Sequence, residues 1–547
     1  MIKEYLEDVR KLLKSKIFVF SLFAIAVISF GYAAFNSSLS IDDTESDRYT
    51  GSGNAMLSAG RFTMLFWSVV QGRWENAFIM DLVSIFMFAF ACINLCILFR
   101  RVSNGKISLG ALTVFSCLFL SYPLMNEIWE YTGTNIVICG AFLLTSFSLL
   151  LIHSFLHGKK GKGAYLSLVA AAVMLMFLCA GYESVVSVYI FFVFAVIALQ
   201  IIYGEEKEKK FSEIIKQGSL YAGLLVIGLL LRVIVHKILL AVLSLEPAKN
   251  GATEILWGKK SVLEILVGLC DDFFVHYIFR SVIYLPLFIL VLSGIAFIVM
   301  GIFACKKHGA ILLLPGFGML LSLVLLSFVQ GTYSPYRTCQ VFAAFCAFCA
   351  MMFISCFPKK GNKLQAVCRV CAITLCGLIC FYQASFLNYF LELNHQRSES
   401  EEMVVRQVSY DLRREFDEDK PVIFVGSYKG NASIYEKASV PEDSFRWKLY
   451  KKLCTGYFAI RGNDFDTSVL SRKIPVNNVS SILDWATVAF GSQDSMAKVF
   501  SYYGCDYVPA DYDTCYEPAK AAAEEMPSFP QEGYIKDMGD YLVVSMG

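Results

Sequence analysis

The stretch SVIYLPLFILVLSGIAFIVMGIFA, residues 281–304, runs for 24 residues without a charged side chain. About 20 apolar residues in a helix cross the ~30 Å hydrocarbon core of a bilayer. Similar stretches lie near residues 17–35, 77–99, 107–125, 134–155, 164–180, 185–203, 218–243, 310–329, 338–357 and 370–390. The sequence therefore predicts an α-helical polytopic membrane protein with about eleven transmembrane helices.

Composition divides the chain into two parts. Of its 547 residues, 56% are hydrophobic and only 17% are charged, whereas about a quarter are charged in a soluble globular protein. Residues 1–390 hold 31 Lys and Arg against 21 Asp and Glu, and residues 391–547 hold 17 against 25. We predict a transmembrane domain at 1–392 and an α/β domain at 393–547. The sequence has no concentrated basic face of the kind that nucleic-acid binding needs, so we expect no nucleic-acid partner.

Basic residues recur in every second gap between the spans. Gaps rich in Lys and Arg face the cytoplasm, and these gaps lie before residue 17, at 100–106, at 159–162, at 207–216, at 306–307 and at 359–369. This alternation predicts a cytoplasmic amino terminus and an extracytoplasmic carboxyl-terminal domain. The first apolar run exceeds the ~7–15 residues of a signal-peptide core, so we interpret it as an uncleaved anchor.

The outward gaps hold the candidate functional residues. The first of these gaps places Asp42 and Asp43 just beyond a span, and residues 56–70 around Arg61 are typical of a helix lying at the interface. A solvated loop or a helix cap would also explain the two aspartates. The remaining candidates in the outward gaps are Arg48, Tyr49, Glu127, Glu130, Tyr182, Glu183, Arg280, Tyr333 and Arg337.

Ionisable residues also occur within the seventh span. Arg232 and His236 are four residues apart and share a helix face, and Lys237 follows them. Charged groups inside spans are costly and usually face a cavity or a partner. Lys237, near the outer end, is equally explained by a side chain that extends to the membrane surface.

These residue types suit transfer of a sugar from a lipid phosphate. A carboxylate can accept the proton of the incoming hydroxyl, and Asp42 or Asp43 is the candidate. Fixed cations can stabilise the departing phosphate, and the candidates are Arg61, Arg232, Lys237, Arg280 and Arg337. Arg48, Tyr49, Glu127, Glu130, Tyr182, Glu183 and Tyr333 are candidate substrate-binding residues. The sequence contains no glycine-rich phosphate-binding loop, so we expect no nucleotide substrate.

The chain resembles the bacterial type II O-antigen-modifying glucosyltransferases, within the polytopic GT-C class. The resemblance rests on Ile41-Asp42-Asp43, Arg48-Tyr49, Gly60-Arg61, Tyr182-Glu183-Ser184 and the ending MPSFPQEGYIKDMGDYLVVSMG. It implies a GT-C-like fold, a polyprenyl-phosphate-linked glucose donor and a surface polysaccharide acceptor. It also implies the outer side of the bacterial cytoplasmic membrane, and Asp42 and Asp43 as the catalytic pair.

Other interpretations remain open from the sequence. A lipid-linked glycan transporter would usually show paired hydropathy repeats, and a receptor-like protein would not need Asp42, Asp43 or Arg232. We expect no cofactor and no metal site, although two adjacent carboxylates can help to hold Mg²⁺ or Mn²⁺. In the tail, strands are predicted at 422–425, 505–508, 533–537 and 540–545, and the last two as a hairpin.

Overall fold

The computed structural model describes residues 2–40, 56–71, 77–205, 210–247, 255–357, 362–416, 419–474, 481–488 and 493–547. Within these ranges, nine helices are long and apolar enough to cross a membrane: Lys16–Phe35, Ala77–Val102, Gly133–His157, Lys162–Cys179, Val185–Tyr203, Phe211–Leu243, Leu285–His308, Ala310–Gln330 and Lys363–Glu415. The prediction of a polytopic helical membrane protein is confirmed.

The other two predicted spans are shorter apolar helices, Leu109–Leu120 and Val341–Ser355. The first extends only about 18 Å at 1.5 Å per residue. It begins after Ser108, whose hydroxyl accepts the backbone N–H of Ala111, and it ends at Ser121, two residues before Pro123. The two short helices pack against each other inside the bundle. The number of eleven spans stays a prediction.

Aromatic side chains fill the centre of the bundle. Phe88, Phe119 and Phe142 pack against one another with ring centroids 5.0–5.4 Å apart, and all three are buried. Their rings come from three different helices, so this contact joins the first half of the bundle. Edge-to-face and tilted pairs of this kind add to the packing that holds membrane helices together.

Non-spanning helices lie in three of the gaps on the predicted outer side. Helix Phe62–Gln71 lies in the segment where an interfacial helix is predicted. The second long gap contains helix Val262–Asp272, the π-helical turn Phe273–Ile278 and the 3₁₀ turn Phe279–Val282. The short helix Met125–Trp129 lies in a third gap.

The last spanning helix continues far beyond the predicted membrane segment. Lys363–Glu415 is 53 residues long and begins with a capping box between Asn362 and Gln365. It passes the predicted domain limit at residue 392 without a break. Its carboxyl-terminal part packs Val404, Val405 and Val408 against the core of the following region. The division into 1–392 and 393–547 stays a prediction.

The carboxyl-terminal region is a small α/β unit. Strands β1 (Val422–Val425), β2 (Ile535–Asp537) and β3 (Leu542–Ser545) form one sheet in the order β1-β3-β2. β3 is parallel to β1, with Val422 opposite Leu542, and antiparallel to β2, with Ile535 opposite Val544. The helices of this region are Ala432–Lys437, Phe445–Ile460, Ile482–Val488, Asp494–Tyr502 and Tyr512–Ala523.

The predicted strand at 422–425 and the closing hairpin are present. The strand predicted at 505–508 is wrong, because that segment meets β1 only through one isolated bridge, between Val422 and Pro509. Proline has no backbone N–H to continue a ladder of hydrogen bonds. Sequence propensity alone therefore overestimated the width of the sheet.

Candidate functional site

Two arginines from distant parts of the chain meet at one carboxylate. Glu183 lies between two spans, and its carboxylate oxygens lie 3.3 Å from Arg61 Nη2 and 3.1 Å from Arg232 Nη2. We call these three residues the Glu183 cluster. The glutamate neutralises only one of the two guanidinium charges, so the cluster retains a net positive charge.

The backbone around Leu57 and Gly60 packs against helix Phe211–Leu243, at the face that carries Arg232. Arg232 Nε donates to Gly60 O at 3.4 Å, and His236 Nε2 lies 2.7 Å from Leu57 O. Gly60 has a φ of +77° and lies against both side chains, a conformation that glycine adopts readily. The turn at Gly60 therefore lets the backbone pack closely here and places Arg61 beside Glu183.

A second group of side chains adjoins the first. Arg337 Nη1 lies 3.6 Å from Glu127 Oε1, and its guanidinium carbon lies 6.0 Å from the ring centre of Tyr131. Arg337 also lies close to Tyr182 and interacts with it electrostatically. We call Glu127, Tyr131, Tyr182 and Arg337 the Arg337 cluster.

Tyr182 connects the two clusters. The guanidinium of Arg61 lies 5.5 Å from the centre of its ring, within the range of a cation–π interaction. Burial raises the pKa of Tyr182, while Arg337 and Arg61 act in the opposite direction. Three arginines from three separate parts of the sequence therefore surround one Tyr-Glu pair.

Glu127 is a carboxyl group of this region with a strongly raised pKa. Burial raises its pKa to about 7, and the charges of Arg337 and Lys473 oppose that rise. Its Oε2 atom is buried, and no hydrogen-bond partner for it exists among the described residues. A carboxyl group with a pKa near neutrality can hold or release a proton under physiological conditions.

A third group connects the membrane region to the carboxyl-terminal region. Arg280 Nη2 donates to Lys473 O at 3.0 Å, and its guanidinium carbon lies 5.9 Å from the ring centre of Tyr336. Burial lowers the pKa of Lys473, and the carboxylates of Glu130 and Glu127 oppose the decrease. Arg280 therefore contacts the segment that brings the positive charge of Lys473 close to Glu127.

The imidazole of His276 stacks on Tyr333, with ring centroids 4.2 Å apart. The hydroxyl of Tyr336 donates to the carbonyl oxygen of His276. Burial and the nearby charge of Arg280 lower the pKa of His276 to about 4, so the ring is neutral at physiological pH. Tyr333 therefore lies against a neutral aromatic surface.

Most of the candidates predicted from the sequence are brought together. Arg61, Glu127, Tyr182, Glu183, Arg232 and Arg337 form the two joined clusters, and Arg280, Glu130 and Tyr333 lie around Lys473 and His276. Lys237 is exposed, and no hydrogen bond or ion pair joins it to either cluster among the described residues. Asp42, Asp43, Arg48 and Tyr49 lie outside the described residues, so their predicted roles stay predictions.

Lys473 was missed by reasoning from the sequence. It lies in an irregular segment of the tail, 193 positions from Arg280, and the only signal near it is the Arg472-Lys473 dipeptide. In the described parts of the chain, no group of three or more His, Cys, Asp or Glu side chains could hold a metal ion.

Taken together, the fold and these clusters define a polytopic helical membrane protein with a charged site, assembled from segments between its spans and from the spanning helix that carries Arg232. The family model described as glucosyl transferase GtrII matches residues 31–354. The chain belongs to this family, and it is a glycosyltransferase. The resemblance inferred from the sequence is confirmed, and no curated protein matches the chain. The matched range contains both clusters and Arg280, whereas Lys473 lies beyond it.

Proposed function

We propose that the protein transfers a glucosyl unit from a polyprenyl-phosphate donor to a surface polysaccharide on the outer side of the bacterial cytoplasmic membrane. The observation that carries the proposal is the convergence of Arg61, Arg232 and Arg337 on Tyr182 and Glu183. Arginine binds phosphate oxygens through paired hydrogen bonds. A partly buried group of arginines is therefore suited to a phosphate ester that becomes more negative as its sugar departs.

The proposed reaction needs one base and one stabilised leaving group. Asp42 or Asp43 accepts the proton of the acceptor hydroxyl, and the oxygen of that hydroxyl forms a bond to the anomeric carbon of the sugar. The bond between that carbon and the phosphate oxygen breaks, and the phosphate leaves with the electron pair. The arginines of the two clusters stabilise this charge, with Arg280 beyond them. Lys237 stays a proposed phosphate ligand.

The sugar and acceptor are proposed to lie along the rest of the same face. Glu127, Glu130 and Tyr333 supply hydrogen-bonding groups and an aromatic surface between the arginines and the carboxyl-terminal region. We propose Arg48 and Tyr49 as further contacts. The carboxyl-terminal α/β region, proposed to be extracytoplasmic, lies beside the site through Arg280 and Lys473 and would approach the acceptor.

Membrane vesicles that contain the full-length protein test the proposal. With radiolabelled polyprenyl-phosphate glucose and a polysaccharide acceptor, we expect transfer by the native chain. Loss of the base should reduce the rate by about 10²- to 10⁴-fold in Asp42→Asn or Asp43→Asn, whichever residue is the base. Asp443→Asn, at an exposed position of the tail, is the matched control.

Two results would count against the proposal. Full activity in both aspartate variants would remove them as the base, and glycan export without any transfer would favour a lipid-linked glycan transporter. Treatment with a chelator tests the expected independence from metal. Loss of activity that Mn²⁺ or Mg²⁺ restores would show that a divalent cation is required.

A further inference from the structure

A large groove opens among the helices, and none of its lining residues belongs to the two clusters. It has a volume of about 1290 Å³ and is lined by four helices: Val185–Tyr203, Leu285–His308, Leu313–Gln330 and Val341–Ser355. Its wall is almost entirely apolar, with Phe297, Phe317 and Phe348 among the lining side chains. An apolar groove of this kind between membrane helices suits a hydrocarbon chain.

One end of the groove is cationic. Lys106, Lys306 and Lys307 line it, and no acidic residue does so in the described part of the chain. Lys106 Nζ donates to Tyr203 O at 2.9 Å, which holds it at the rim, and Lys306 and Lys307 are exposed. The groove therefore combines a long apolar wall with a positively charged edge, the two properties of a site for an acidic lipid.

The groove is remote from the proposed catalytic face. Helix Leu285–His308 begins five residues after Arg280 and ends beside Lys306 and Lys307. A helix of 24 residues is about 36 Å long, so the lysines lie at the opposite surface of the membrane. Their gaps are among the basic ones that the sequence predicts to be cytoplasmic.

We propose that this groove binds an acidic glycerophospholipid of the leaflet opposite the catalytic face. The phosphate headgroup lies at Lys106, Lys306 and Lys307, and an acyl chain lies along the apolar wall. Basic pockets between transmembrane helices on the cytoplasmic side favour acidic headgroups. A donor polyprenyl phosphate is the less favoured occupant, because its phosphate must reach the arginines on the other face.

Native mass spectrometry of the full-length protein with added phosphatidylglycerol or phosphatidylcholine tests the proposal. Each lysine near an acidic headgroup contributes about fivefold to binding, so the triple variant Lys106→Gln, Lys306→Gln, Lys307→Gln should bind phosphatidylglycerol roughly a hundredfold more weakly. Lys159→Gln, Lys162→Gln, Lys210→Gln removes three exposed lysines from other basic gaps. This control should bind as the native chain does.

A second variant tests the apolar wall without changing charge. Gly301 lines the groove, and no atom lies within 4 Å of a Cβ added there. Gly301→Trp should fill the space and also weaken phosphatidylglycerol binding. Native affinity in the lysine variant and in Gly301→Trp would overturn the proposal. Polyprenyl phosphate that binds more tightly and displaces phosphatidylglycerol would overturn it as well.

Discussion

Arg397 and Glu401 form an ion pair of 3.4 Å on the long last helix, with side chains only 3% and 2% exposed. Each partner also binds a different part of the chain. Arg397 Nη2 donates to Leu39 O at 2.6 Å, and the backbone N–H of Ile482 donates to Glu401 Oε1 at 2.8 Å. One buried pair therefore joins the segment just after the first span to the carboxyl-terminal region.

We expect Arg397→Met to destabilise the protein by about 3–5 kcal/mol, because it leaves the Glu401 carboxylate buried without its cation. Thermal unfolding in detergent measures the effect. Arg406→Met is the matched control, since Arg406 pairs with Glu402 on the same helix at the same spacing but in an exposed position. It should cost far less, because an exposed ion pair contributes little to stability. Equal losses in the two variants would contradict this role.

Gly60→Ala should impair transfer. The added Cβ would lie 3.2 Å from Arg232 Nη2 and 3.3 Å from His236 Nδ1, at a φ of +77°. Gly105→Ala is a control with a φ of +71° and no atom within 4 Å. Both substitutions should cost about 1–2 kcal/mol of stability through the backbone. Only Gly60→Ala should lower the transfer rate, and equal rates in the two variants would show that the close approach to Arg232 is unimportant.

Sequence reasoning identified the spans well because the bilayer imposes a length and a composition on each of them. It also placed Arg61 and Glu183 on one predicted face, since alternate gaps between spans share a side of the membrane, and it placed Arg232 within a span. It could not predict their pairing. Glu183 is 122 positions from Arg61 and 49 from Arg232, and only the packing of the helices decides which charges meet.

The sequence pattern also could not predict details that depend on local backbone geometry or on distant contacts. The span predicted at 107–125 ends early because the chain turns at Ser121 and Pro123, and hydropathy does not record a turn. Lys473 joins the site through the tail, where no pattern in the sequence indicates an approach to Arg280. The carboxyl-terminal α/β region could be predicted as a type of structure, but its contacts with the membrane region could not.

Arg232→Lys should weaken the use of the donor. Arg232 donates through Nη2 to Glu183 and through Nε to Gly60 O, and a lysine cannot reproduce this divergent geometry. We expect the KM for polyprenyl-phosphate glucose to rise about tenfold, which corresponds to the loss of one charged hydrogen bond. Lys216→Gln, in the first turns of the same helix and paired with Glu213, should leave KM unchanged. A normal KM in Arg232→Lys would exclude a role in donor binding.

Glu127 should make stability depend on pH. Its pKa is raised from 4.5 to about 7 in the folded protein, so the native state holds a proton that the unfolded state releases more readily. The stabilisation from this proton is complete below about pH 4.5 and is lost as the pH rises towards 7. The loss is on the order of a few kcal/mol. Glu127→Gln, which stays neutral, should therefore show a smaller decrease in Tm between pH 5 and pH 8 than the native chain. Glu264→Gln, at an exposed carboxylate paired with Lys260, should keep the native pH profile. Identical profiles for native and Glu127→Gln proteins would show that Glu127 is ionised throughout this range, and the arginines around it would then face a permanent negative charge.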